Sequence, residues 1–476
     1  MSSWRKTTAV AAVSAVLLGG YAAADAYDVV PGILTLEPAP ELAPAAPTAP
    51  GALAPLEQAE ADFSLDINAP LPATSELQKI VDEYTDEEIE DSMSVYVVDA
   101  LTGTVLLDHR GDTPRVPAST TKLLSGLIAL EVLGPERTLK TSVVTSGADE
   151  IVLVGGGDML LGLGESDPSS LVGHAGIATL ASDVEKYLSL KGTRSVSLRL
   201  EDSLFEGAQM HSTWNPDLVS MNLAPPIAAI AVNEGKNRSA QYEGVSAPPR
   251  YDDIAMDAAR VFADALEERG IEVSGDVKRG EAKSGAQEIA AVESAPIRDI
   301  VYQSLLVSDN VLADVLARLI AVEIGYPGSF SGGAQAMLHQ LDKMGLTTEG
   351  LNLVDGSGLS PDGRITPRLE VELLAHALED PQMMDGVARL PTAGFSGTLT
   401  SRMDQGQGAG TVRAKTGGLT GVRSLAGTIV TADQRLLIFS AMADPDFPDG
   451  GWIAERNIDW IAENIAACGC QEPSGD

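Results

Sequence analysis

The 476 residues carry 68 acidic against 32 basic side chains, a formal net charge of −36, with 44% hydrophobic residues. That much apolar material suits a folded chain of about two globular units plus extra segments and excludes a disordered one. The acidic balance excludes nucleic acid as a partner, because nothing here could neutralise a phosphate backbone.

At the N-terminus, Arg5 and Lys6 precede an uncharged run from Thr7 to Ala24 that is rich in Ala, Val and Leu and closed by Asp25. A positive end followed by an apolar stretch is the pattern of an export signal. The run is slightly short of the about 20 residues that span a bilayer. Ala22-Ala23-Ala24 and Ala24-Asp25-Ala26 both offer small-residue cleavage sites. Residues 1–27 are therefore expected to act as a signal peptide or a membrane anchor, and the chain to be exported. Pro and Ala dominate Pro38 to Pro55; such a segment cannot pack a core and makes an extended linker, here 28–74.

Globular patterning begins near Ser75. Met93, Val95 and Val97 alternate along one strand, and Thr102-Gly103 turns the chain into a second at Thr104 to Leu107, which predicts a hairpin. Pro117-Ala118 precedes Ser119-Thr120-Thr121-Lys122, which opens an apolar helical run to Leu130. A strand at Ile151 to Val154 leads into Gly155-Gly156-Gly157, and a second strand follows at Val196 to Leu200. That glycine run lacks the frame of a phosphate loop and reads as a turn. An amphipathic helix from Ile254 to Arg269 stops at Gly270. Residues 143–290 are expected to form an inserted domain between the two parts of a catalytic domain, 75–142 and 291–470, with 471–476 as a tail.

Helices are expected at Ile297 to Ile324 and Gly332 to Met344, and Asp355-Gly356-Ser357-Gly358-Leu359-Ser360 is rich in turn formers. Strands at Leu425 to Val430 and Leu436 to Met442 and a closing helix from Trp452 to Ile465 complete the chain. Strands near both ends with helices between them suggest one sheet assembled from both termini. Cys468 and Cys470 cannot build a four-ligand zinc site, and the five histidines show no paired spacing, so neither a metal nor a cofactor is expected.

Three short polar motifs carry the chemistry: Ser119-Thr120-Thr121-Lys122, Ser308-Asp309-Asn310 and Lys415-Thr416-Gly417. In that order they match an SxxK, SxN and KTG signature. Each is weak alone, since Ser3-Trp4-Arg5-Lys6 and Ser220-Met221-Asn222 match too. Order and context separate the three from these decoys.

A serine hydroxyl is a poor nucleophile until a neighbour takes its proton. Lys122 can do so only when neutral, which needs burial or nearby positive charge; Lys415 is expected to supply that charge. Ser308 can relay the proton to a leaving amine, and Asn310 can donate to a substrate backbone. Lys415 and Thr416 suit a C-terminal carboxylate. Backbone N–H groups of Ser119 and Gly418 are the expected oxyanion hole, with Gly417 beside them in the substrate-binding strand.

From Ser92 to Ala467 the chain resembles the class C low-molecular-mass penicillin-binding proteins, D-alanyl-D-alanine carboxypeptidases/endopeptidases. Besides the three motifs, the resemblance rests on Gly157-Asp158, Asp202-Ser203-Leu204-Phe205, Trp214, Asp355 to Ser360, Leu390 to Gly394 and Gly397-Thr398-Leu399. It implies an α/β (α+β) transpeptidase-like fold, an antiparallel sheet flanked by helices, with the large insertion that β-lactamases lack. It implies Ser119 as nucleophile, Lys122 as base, peptidoglycan stem peptides as substrate, β-lactam antibiotics as inhibitors, and action at the cell wall. A β-lactamase or esterase of the same superfamily, or a non-catalytic wall-binding protein, is the competing reading. Gly418 departs from the threonine that many relatives carry after KTG, and Asn233-Glu234-Gly235 matches an Asn-rich family stretch only in part.

Overall fold

A computed structural model describes residues 68–85, 90–147, 149–242, 245, 247–444 and 451–469. The expected export segment, most of the linker and the tail lie outside the described residues. Among the described residues no helix is long and apolar enough to cross a membrane.

Helix α1 (Thr74–Tyr84) precedes the hairpin β1 (Met93–Asp99) and β2 (Val105–His109), then helix α2 (Thr121–Leu133). Next come β3 (Lys140–Gly147), β4 (Glu150–Val154), β5 (Asp158–Leu161), α3 (Ile177–Leu190), β6 (Ser195–Glu201), the short α4 (Pro216–Ser220) and β7 (Ile230–Val232). Helix α5 (Ile254–Glu267) leads to the two-residue strands β8 (Glu272–Val273) and β9 (Lys278–Arg279), and to β10 (Gln287–Glu293). Helices α6 (Ile297–Leu306), α7 (Asn310–Glu323), α8 (Phe330–Lys343), α9 (Pro367–Glu379) and α10 (Met384–Ala388) follow. Strands β11 (Val412–Leu419), β12 (Val422–Val430) and β13 (Leu436–Ala443) and helix α11 (Trp452–Ala467) close the chain.

The main sheet has the order β11-β12-β13-β1-β2 and is antiparallel throughout. Both termini build it, as expected, through the pairing of β1 with β13 from Met93↔Ala443 to Asp99↔Leu437. Every residue of β1 is buried because helices cover both faces of a central strand. Met93, Val95 and Val97 pack with α1 and α11, whereas Tyr96 and Val98 join the core around α2. A bidentate ion pair ties the end of β1 to the start of β13, with Arg435 Nε and Nη2 each donating at 2.6 Å to the buried Asp99 carboxylate.

A second sheet, β10-β3-β4-β6-β8 with β9 also on β6, lies wholly within Lys140–Glu293. It mixes antiparallel pairs at β10, β3 and β4 with parallel pairs at β6. Its apolar side chains are continuous with those around α2, so the described residues form one compact unit. Helix α2 runs through that core with nearly every side chain buried, and Gly126 lets α6 approach until an added Cβ would stand 3.2 Å from Val301 Cγ1.

The expected single helix from Ile297 to Ile324 is two helices, broken at 307–309. Ser308 has a φ of +61°, a left-handed conformation that costs on the order of 1–3 kcal/mol in a non-glycine residue. Asp309 then restarts the helix, its carboxylate accepting from the Leu312 N–H at 3.1 Å as an N-cap. The apolar spacing runs across this break, which is why periodicity alone misses it. The same happens on a smaller scale at Ser119, which lies in a 3₁₀ turn, Ala118–Thr120, and not in α2 itself.

Candidate active site

The turn that carries Ser119 is held by its own chain. Ala118 has a φ of +49°, the Thr120 N–H and hydroxyl both donate to the Pro117 carbonyl, and Thr121 Oγ1 donates to the Ala118 carbonyl. Lys122 follows three residues later and therefore shares the Ser119 face. Its fully buried Nζ contacts Ser119 Oγ at 2.8 Å, Asn310 Oδ1 at 2.7 Å and the Ser357 carbonyl at 2.7 Å.

Two of those three partners can only accept. Asn310 is oriented by its Nδ2, which donates to the Leu223 carbonyl at 2.7 Å, so its Oδ1 faces the lysine. A neutral amine has two N–H donors and one lone pair. With the donors used on Asn310 and Ser357, the lone pair is left for the hydroxyl proton of Ser119. Burial brings the Lys122 pKa down to about 8, against the opposing pull of Asp314, Asp355 and Asp309.

Lys415 enters from the edge strand β11, donating to Ser308 Oγ at 2.9 Å and to the Thr416 carbonyl at 2.7 Å. It too is fully buried, and burial, then Lys122, then Arg402 hold it well below the usual lysine range. Burial comes first for both lysines, and the repulsion between them favours the neutral form of one.

The remaining residues of the third motif lie along the same strand. Thr416 Oγ1 donates to Thr398 Oγ1 at 2.8 Å. A Cβ on Gly417 would stand 1.9 Å from Ser424 Oγ, 2.6 Å from the Pro117 carbonyl and 3.2 Å from the Ser119 nitrogen, so only glycine lets β11 lie against the Ser119 turn. On the outer edge of β11 the Ala414 N–H donates to Pro391. The two-residue repeat of the strand puts the Gly418 N–H on that same edge, away from β12. A cleft of about 810 Å³ opens here, lined by Thr398, Arg402, Thr416, Gly418 and Arg423 among others.

The three motifs thus converge, and every residue expected at the site is within it or on its strand. The decoy Ser220 lies on the short helix α4, where its hydroxyl donates to the Asp217 carbonyl of its own turn. Sequence reasoning missed the Ser357 carbonyl, Asp314, Thr398 and Arg402. Asp314 holds the Gly356 N–H at 2.7 Å and Asp355 holds the N–H groups of Gly358 and Ser360, which presents the 356–358 backbone to Lys122. Asp355 also accepts from Trp214 Nε1 at 2.8 Å. The turn formers at 355–360 were a visible signal, but their meeting with a lysine 235 residues away was not.

The sequence profile of the D-Ala-D-Ala carboxypeptidase 3 (S13) family matches residues 76–239 and 237–463. The chain is 32% identical to the carboxypeptidase DacB of Mycolicibacterium smegmatis over 98% of each protein. It is 27% identical to the D-alanyl-D-alanine carboxypeptidase of Actinomadura sp. strain R39 over 75% of this chain and 78% of that one. Its fold is similar to the crystal structure of penicillin-binding protein 4 from Haemophilus influenzae. That match has a TM-score of 0.67 at 20% identity and covers 83% of this chain and 98% of that one.

Proposed function

The chain belongs to the D-Ala-D-Ala carboxypeptidase 3 (S13) family, and from that membership we propose residue roles for its serine D-Ala-D-Ala carboxypeptidase/endopeptidase reaction. Neutral Lys122 takes the proton of Ser119 as Oγ attacks the carbonyl carbon of the penultimate D-alanine. The N–H groups of Ser119 and Gly418 receive the oxyanion, each donor worth about 10²–10³ in rate in a comparable enzyme. Ser308 relays that proton from Lys122 to the leaving amine, the C–N bond breaks, the terminal D-alanine departs, and Lys122 is neutral again. Water, losing its proton to Lys122, then attacks the ester, and Ser119 recovers its proton as the peptide acid leaves.

The carboxylate of the incoming peptide also sets the protonation of the pair. Beside Lys415 it stabilises the ammonium form, which raises that pKa, and the Lys415 charge then favours a neutral Lys122. Asn310, with one N–H on Leu223, keeps its second for the substrate backbone. Peptidoglycan stem peptides are the substrate in this reading, and a β-lactam would acylate the same serine; the Haemophilus influenzae protein has been crystallised with a β-lactam.

In this reading residues 1–27 serve as signal or anchor and 28–74 as linker, and the activity lies outside the cytoplasm. Residues 143–290 form the inserted domain, a reading supported by the second sheet within Lys140–Glu293. The observation that carries the proposal is the Lys122 amine, whose two obligate acceptors leave Ser119 as its third partner. The test is incubation with a fluorescent penicillin and a D-Ala-D-Ala peptide. The wild type becomes labelled and releases D-alanine, and Ser119→Ala does neither. Equal labelling of the alanine variant would mean that another serine reacts.

A further inference from the structure

Gly418, where many relatives carry threonine, puts no side chain into the cleft wall. The residue paired with Gly418 across the sheet is Arg423, on β12. A Cβ at position 418 would meet the Arg423 side chain first, with Nη1 at 3.7 Å and the guanidinium carbon at 3.9 Å. The guanidinium also lies against Gly451, whose added Cβ would stand 3.0 Å from Nη1 and 3.3 Å from the guanidinium carbon. The cation therefore lies against two residues that lack side chains. It is also part of the cleft wall, with Thr416, Gly417 and Gly418.

Its hydrogen bonds hold it there without exhausting it. Nη1 donates to the Leu419 carbonyl at 2.8 Å and the Val422 carbonyl at 2.7 Å, and Nε donates to Glu455 at 3.1 Å. Among the described residues Nη2 has no hydrogen-bond partner. The other arginine of the cleft, Arg402, differs in this respect. It is committed through Nε and Nη2 to the half-buried Asp459, at 2.6 Å for the shortest contact.

We propose that Arg423 is a specificity-determining residue that binds the C-terminal carboxylate of the peptide substrate and does the work of the hydroxyl missing at Gly418. The inference rests on the peptidase reading of the cleft and adds to it a residue outside the three motifs. With Nε and Nη1 committed, Nη2 keeps its two N–H groups for a carboxylate, and such a charge-assisted contact is stronger than that of one neutral hydroxyl. The Gly418 gap and the Arg423 cation thus form one device. A merely structural role, bracing the Leu419–Val422 turn through Nη1, is the alternative that the test must separate.

The test compares two peptides of the same sequence, one ending in the D-Ala-D-Ala acid and the other in its C-terminal carboxamide. Wild type is measured first; if it hydrolyses neither, the peptidase reading itself fails. Arg423→Ser is expected to lose about 10–100-fold in kcat/KM on the acid. It should change less than about 3-fold on the carboxamide, which also shows that the variant is folded. Adding Gly418→Thr to Arg423→Ser is expected to restore part of the preference for the acid. Equal loss on both peptides, or no loss on either, overturns the proposal. Should the serine variant fail to fold, Arg423→Lys decides: its single ammonium is expected to lower the acid-to-amide ratio, and an unchanged ratio overturns the proposal.

Discussion

Lys122 and Lys415 are two buried amines that repel each other, and each is anchored to one serine, Ser119 and Ser308. Lys122 accepts a proton only when neutral, and its pKa is about 8. Below that value the neutral fraction falls tenfold per pH unit. Acylation by a penicillin is therefore expected to rise with pH up to about 8 and then level. Asp314 is one of the carboxylates that pull this pKa upward, so Asp314→Asn should move the rising limb to lower pH while an amide oxygen still accepts from Gly356. Stopped-flow acylation across pH 5–10 measures both, and a limb that does not move would count against this account of Lys122. The motif residues were legible because their chemistry demands particular side chains. The carbonyl of Ser357 was not, because a backbone acceptor is the same at every position.

At the scale of elements, the site is built where regular structure is interrupted. Ala118 and Ser308, beside or within two of the motifs, both have positive φ, and neither interruption shows in the apolar spacing around it. Periodicity reports which face is buried and not the sign of φ, so the hairpin β1–β2 was legible and the break between α6 and α7 was not. The 355–360 segment packs so closely that a Cβ on Gly358 would stand 1.8 Å from the Ala118 carbonyl, at a φ of +77°. Gly358→Ala must then displace either the Ser119 turn or the carbonyl that accepts from Lys122. The expected result is a loss of at least about 100-fold in acylation rate, the scale at which a misplaced catalytic group costs rate, with circular dichroism still native. Wild-type acylation by this variant would show that the two segments can separate freely.

Across the whole molecule, the excess of acidic groups includes some taken out of water altogether. Asp158 begins β5, is buried, and among the described residues accepts only from the Leu160 N–H at 2.8 Å. Burial pushes its pKa up to about 7. Because the folded value lies above the unfolded value of about 3.9, the folded state holds the proton more tightly. Its contribution to stability is full below pH 4 and is lost as pH rises through 7. Asp158→Asn, which keeps an acceptor for Leu160, is expected to be more stable than wild type at pH 8 by on the order of 3 kcal/mol. The difference should vanish near pH 4. Urea unfolding at the two pH values checks this, and a difference independent of pH would remove titration of Asp158 as its cause.

The sequence by itself determined the reaction type and much of the architecture. Serine-lysine chemistry needs those side chains, and the strands near both ends needed each other to cover their apolar faces. Only the tertiary structure decided which groups complete the site: the Ser357 carbonyl against Lys122, Leu223 holding Asn310, and Arg423 filling the space beside Gly418. The reason is physical. Side-chain identity and spacing are local properties, whereas a buried amine is completed by whichever distant acceptors the packed core brings within about 3 Å.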